Sequence, residues 1–98
     1  MIYLVATLKI KPGSLPAINE AVADCIAGTR NEPGNISYDL FQSTTDEDTI
    51  VFVERWEDQA AIDNHFVEPH FLAWREAGSK FFLDRTIEII EPANVKTL

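Results

Sequence analysis

Cationic side chains are scarce in this sequence. Eight Lys and Arg residues stand against sixteen Asp and Glu, which leaves a formal net charge of −8 and a pI near 4.5. The basic residues do not cluster, and holding a polyanion requires a basic face that displaces its counterions, so nucleic acid is not expected as a partner. Cysteine is rarer still: Cys25 stands alone, which excludes an intrachain disulfide. No basic residue adjoins it, and it reads as a small apolar core residue at a helix-period position. No apolar run approaches the roughly 20 residues of a membrane-spanning helix. The opening Met1-Ile2-Tyr3-Leu4-Val5 carries no basic leader. A cytoplasmic setting without a membrane partner is therefore expected.

What the chain does have is apolar material. At 98 residues, 46% of them hydrophobic, it suffices for one core and is too short for two, so residues 1–98 are expected to form a single domain. Residues 2–11 alternate, with Ile2, Leu4, Ala6, Leu8 and Ile10 on one side and Tyr3, Val5, Thr7, Lys9 and Lys11 on the other. After Pro12-Gly13, Ser14 is a candidate N-cap for a helix with the stripe Leu15, Ile18, Val22, Cys25 and Ile26. Glu32-Pro33-Gly34 ends it. A second strand over 35–43 presents Ile36, Tyr38 and Leu40 on one side and Phe41 on the other, before the acidic hairpin loop 43–49. The third strand, 50–56, places Ile50, Phe52, Glu54 and Trp56 together.

Asp58 caps the next helix, and Pro69 breaks it and opens another that carries Phe71, Leu72, Trp74 and Ala77. A fourth strand, 83–90, has Leu83, Ile87 and Ile89 as its apolar positions. The order β-α-β-β-α(α)-β predicts an α+β, ferredoxin-like fold: a four-stranded antiparallel sheet in the order 4-1-3-2 with helices on one face. Tyr3, Val5, Phe41 and Ile90 would leave the other face apolar, which predicts a homodimer with the two sheets face to face.

Chemical capability concentrates between Ile50 and Trp74. Both histidines and both tryptophans lie there. Glu54 is a carboxylate in mid-strand, which is either paired with a basic neighbour or turned toward a wet cavity. His65 follows Ile62 by three residues and shares the sheet-facing side of its helix, where it is either a satisfied core residue or a proton-handling group. A metal pair is not expected. His65 and His70 do not share an i, i+4 helical face, and no third ligand accompanies them at a suggestive spacing. No Gly-rich phosphate loop or dinucleotide fingerprint calls for NAD or flavin, so no cofactor is expected.

Four features in this order resemble the antibiotic biosynthesis monooxygenase (ABM) domain family, which is built as dimeric α+β barrels. They are the opening strand ending in Lys11-Pro12-Gly13, the turn Glu32-Pro33-Gly34 followed by Tyr38, the strand ending Glu54-Arg55-Trp56, and His65 followed by Pro69-His70-Phe71. The resemblance covers nearly the whole chain and implies one of the superfamily's activities. These include oxygenation of quinols or polyketides without metal or flavin, haem degradation, and isomerisation of a phosphorylated autoinducer. Haem degradation is disfavoured, because the positions that match that branch's Asn, Trp and His are Ala6, His65 and Arg75.

The resulting expectation is a cofactor-independent monooxygenase acting on a small quinol or polyphenol. An isomerase of a small hydroxyketone and a non-catalytic ligand-binding dimer are the alternatives. His65 is expected to accept or relay a proton and His70 to orient substrate, with Leu4, Ala6, Phe52, Glu54, Phe71 and Trp74 completing an apolar pocket. The helix dipole at the end of its helix would favour protonated His65, whereas His70, in a first turn, would lose that support.

Overall fold

Alternation from Ile2 to Ile10 becomes the central strand β1 (Ile2–Ile10) of a computed structural model that describes residues 1–98. Every even-numbered side chain of β1 is buried and the odd-numbered ones are half-buried or exposed, so β1 has one face against a core. It is followed by α1 (Leu15–Arg30), β2 (Asn35–Gln42), β3 (Thr49–Trp56), α2 (Gln59–His65), α3 (Pro69–Gly78), a single 3-10 turn at Ser79–Phe81 and β4 (Phe82–Ile90). All strand pairs are antiparallel, in the order β2-β3-β1-β4, which is the expected order read from the opposite edge.

The helices pack on one face, as the pattern predicts. Ile18, Val22 and Cys25 of α1, Ile62 of α2 and Trp74 of α3 meet Leu4, Leu8, Ile10, Ile50, Phe52 and Trp56 of the sheet in one core. Trp56 is fully buried, and truncating such a residue costs roughly 3–5 kcal/mol. Cys25 sits in this core, its Sγ 3.6 Å from the Tyr38 hydroxyl and 3.7 Å from Thr29 Oγ1. Two local devices fix the helix approaches. Asp58 caps α2 by accepting from the Ala61 N–H at 2.9 Å. Gly34, at φ +86°, closes the turn after α1 where any Cβ would fall 2.6 Å from that of Ala61.

One expectation needs correction. Ile36 does not share the buried side with Tyr38, because the register of β2 on β3 shifts between Asn35 and Ser37 and turns it out to solvent. Leu83 is likewise turned out by a shift opposite Lys9 and Ile10. Ile87 and Ile89 keep the face of Ala6 and Leu4, their partners on β1, yet stay exposed, because β4 is the edge strand and the helices do not blanket it. On the opposite face Phe41 and Ile90 are also exposed, beside half-buried Tyr3 and Val5. No helix is long and apolar enough to cross a membrane.

Candidate active site and a buried histidine pair

A cavity of about 70 Å³ lies between the sheet and α3. Leu4, Ala6 and Leu8 form its floor from β1, Tyr38, Phe52 and Glu54 continue it across β2 and β3, and Phe71 and Trp74 roof it from α3. Phe82, Arg85 and Ile87 of β4 lie at its side. That volume is small beside the roughly 300–1,000 Å³ of drug-sized sites, so the space suits a ligand with one ring. Arg75 and Arg85 stand exposed at the cavity's rim, and neither forms an ion pair with any of the sixteen acidic residues.

Glu54 is the one carboxylate in the lining. It pairs with Leu4 and Tyr38 in the sheet, and strand alternation points its side chain to the helix side with Phe52 and Trp56. No basic residue meets it. Its Oε1 accepts one hydrogen bond, from the Trp56 indole N–H at 3.0 Å. Burial pushes the carboxyl up from an ordinary 4.5 to about 7; the Trp56 bond pulls the other way and the charge of Glu32 adds to the rise. Tyr38 beside it is held protonated far above the ordinary phenol range, first by burial and then by the charge of Glu54. A carboxyl that titrates near neutrality, in a wall otherwise made of rings and aliphatic chains, is equipped to take a proton from a bound hydroxyl.

Of the eight residues expected at the site, Leu4, Ala6, Phe52, Glu54, Phe71 and Trp74 line this cavity. His65 and His70 do not. His65, 1% exposed, lies one layer behind the wall, its ring centroid 4.8 Å from Phe71, 4.9 Å from Trp56 and 5.5 Å from Tyr38. Its Nδ1 is 2.8 Å from Glu32 Oε2, and His70 Nε2 is 2.6 Å from the same oxygen. One carboxylate oxygen thus accepts from two imidazoles. Burial lowers the pKa of His65 below 6.5, and the bond to Glu32 only partly opposes this, so desolvation outweighs the dipole of a seven-residue helix. No third ligand accompanies the histidines at a suggestive spacing in the sequence, yet folding brings Glu32, 33 residues before His65, into contact with both.

Tyr38, Arg75 and Arg85 are among the seven lining residues that sequence reasoning missed. Tyr38 reads as ordinary strand core, and the two arginines fall at positions that periodicity assigns to solvent.

Comparisons with known proteins bear on the fold and the family. The family model described as antibiotic biosynthesis monooxygenase matches residues 1–77. The chain is similar to the "Putative monooxygenase YcnE" of Bacillus subtilis, with 32% identity over 92% of this chain and 94% of that one. It is also similar to the "Probable quinol monooxygenase YgiN" of Escherichia coli, with 28% identity over 94% and 98% of the two chains. Among solved structures, a "Putative antibiotic biosynthesis monooxygenase from Nitrosomonas europaea" superposes with a TM-score of 0.90, covering 96% of this chain and 100% of the other; at 23% identity it speaks for the fold alone. With a family model spanning most of its length, a relative about one-third identical along nearly the whole chain and the four-stranded ferredoxin-like sheet in place, the protein belongs to the antibiotic biosynthesis monooxygenase family.

Proposed function

We propose that the protein is a cofactor-independent monooxygenase of a small quinol or polyphenol. Family membership and the names of its relatives support monooxygenase-type chemistry. The observation that carries the finer reading is the lone Glu54 carboxyl, buried in an apolar cavity and titrating near pH 7. Ionised Glu54 removes the proton of a ring hydroxyl, and the resulting electron-rich anion passes electrons to dioxygen. Carbon and oxygen then join as a peroxide, whose O–O bond breaks. One oxygen stays on the ring carbon, which gives up its hydrogen as a proton, and the other leaves as water with that proton and the one Glu54 had taken, the substrate having supplied the electrons for both. The apolar walls keep bulk water from the anion and the peroxide. Here Glu54, which lines the cavity, takes the role expected of His65, which does not.

A homodimer belongs to the same proposal, since Phe41 and Ile90 leave apolar surface on the sheet face away from the helices. A second reading has one observation in its favour: the two unpaired arginines at the rim suit an anionic metabolite, and Glu54 could then move a proton α to a carbonyl as an isomerase. Oxygen uptake separates the two. With a panel of hydroquinones and naphthols the wild type is expected to consume oxygen and Glu54→Gln to lose at least about a hundredfold in rate. Turnover of an α-hydroxyketone without oxygen would favour isomerisation, and no oxygen uptake with any hydroxylated aromatic would refute the leading reading.

A further inference from the structure

Glu32, His65 and His70 come from the ends of three different helices: the turn after α1, the last residue of α2 and the second residue of α3. Their donor atoms nevertheless all lie within 4.8 Å of one another. We propose that these three residues bind a late first-row divalent cation such as Zn²⁺, at a site behind the cavity wall.

Four observations carry this. Two imidazoles and one carboxylate form a nitrogen-rich donor set of borderline softness, suited to zinc, cobalt, nickel or copper rather than to magnesium or calcium, which prefer oxygen ligands. Glu32 and His65 are 8% and 1% exposed, and the other Glu32 oxygen, Oε1, is buried with no hydrogen-bond partner. A buried carboxylate left with an unpartnered oxygen is poorly compensated, and a cation held by that group would compensate it directly.

The His65 ring is also held from both sides, and that of His70 is seated beside it. Trp56 and Phe71 flank His65, and the His70 ring packs against α1 at Gly28, where any Cβ would fall 2.8 Å from its Cγ and Nδ1. Finally, the separations are within reach of a tetrahedral site. Ligands about 2.0–2.1 Å from such an ion stand about 3.3 Å apart, so the N···O distances of 2.8 and 2.6 Å open by a fraction of an ångström, while the two imidazole nitrogens, within 4.8 Å of each other, close by up to about 1.5 Å through a swing of His70, the least buried ligand. Three protein ligands leave a fourth position for water on the side of His70, the most exposed of the three. An ion here would tie α1, α2 and α3 together at one point.

The test uses chelator-treated full-length protein, titrated with Zn²⁺ by calorimetry and with Co²⁺ by visible absorption. One equivalent is expected to bind per chain, Co²⁺ developing the absorption of a low-symmetry nitrogen and oxygen site. Binding should weaken by at least about tenfold in Glu32→Gln and in His70→Gln, the latter change lying at the least buried ligand. The chain has only two histidines, so NMR of the wild-type imidazoles decides the matter even where a variant folds poorly. Both rings should shift with one equivalent of Zn²⁺. Imidazole signals that stay put, or binding equally strong in the variants, would assign any uptake to the acidic surface and overturn the site.

Discussion

Replacing Glu54 by Gln removes the ionisable group while keeping an oxygen for the Trp56 indole, so it isolates the effect of charge. In the folded protein this carboxyl holds its proton up to a pH of about 7, whereas in the unfolded chain it lets go near 4.5. Between those values the native state binds more protons than the unfolded state, and stability therefore falls as pH rises. The full penalty, reached above pH 7, is roughly 3 kcal/mol. The variant should match wild type near pH 4 and exceed it by up to about 3 kcal/mol at pH 8.

Urea denaturation of both proteins from pH 4 to 8.5, at one protein concentration, measures this difference. His65 bends both profiles equally: its pKa is lowered by folding, so it withdraws stability as pH falls below about 6.5, and its contribution cancels in the comparison. A kilocalorie shifts Tm by about 4–8 °C in a chain of this size, so thermal melts should resolve the same trend. A stability difference that does not change with pH would mean that Glu54 ionises as an exposed carboxylate does, and the argument from its burial would fail. If it holds, a variant more stable than wild type yet unable to turn over substrate would mark Glu54 as a group kept for chemistry at the expense of the fold.

Gly28→Ala should drive the His70 ring off α1 and break its bond to Glu32, lowering stability by about 1–3 kcal/mol with a displaced His70 imidazole resonance; an unchanged resonance would show that the contact does not position the ring. Asp58→Ala removes the N-cap of α2 and should cost about 1 kcal/mol by urea denaturation. Trp74→Ala should destabilise by roughly 3–5 kcal/mol and enlarge the cavity enough for a bulkier naphthol to compete for it, as measured by ligand-induced shifts in Tm. Sedimentation should give a dimer for wild type and a slower species for Phe41→Lys with Ile90→Lys; a wild-type particle of 11.0 kDa at micromolar concentration would contradict the face-to-face assembly.

Much of the architecture was legible because it rests on local signals. Alternation over Ile2–Ile10, the Pro12-Gly13 and Pro33-Gly34 breaks, the Asp58 cap and Pro69 each mark an element's limit within a few residues, and a βαββαβ order then leaves few ways to wind the sheet. Glu54 was legible for a related reason: a carboxylate among Ile50, Phe52 and Trp56 conflicts with its own strand. What stayed hidden depends on distance in the chain. Glu32 meets His65 and His70 only once α1 has packed beside α3, and no spacing rule joins residues 33 and 38 positions apart. Register shifts at Ile36 and Leu83 have no signature in an apolar and polar pattern. The arginines looked like solvent residues because they largely are; a cavity mouth lies where wall and surface coincide.

Because the helix layer stops short of β4, that margin can vary on its own. Arg85 and Ile87 touch the cavity but lie outside the tightly packed interior, so exchanging them disturbs few other side chains. Descendants of this chain could therefore change which molecules they accept by altering the edge strand alone, while Trp56, Ile62 and their neighbours keep the scaffold constant.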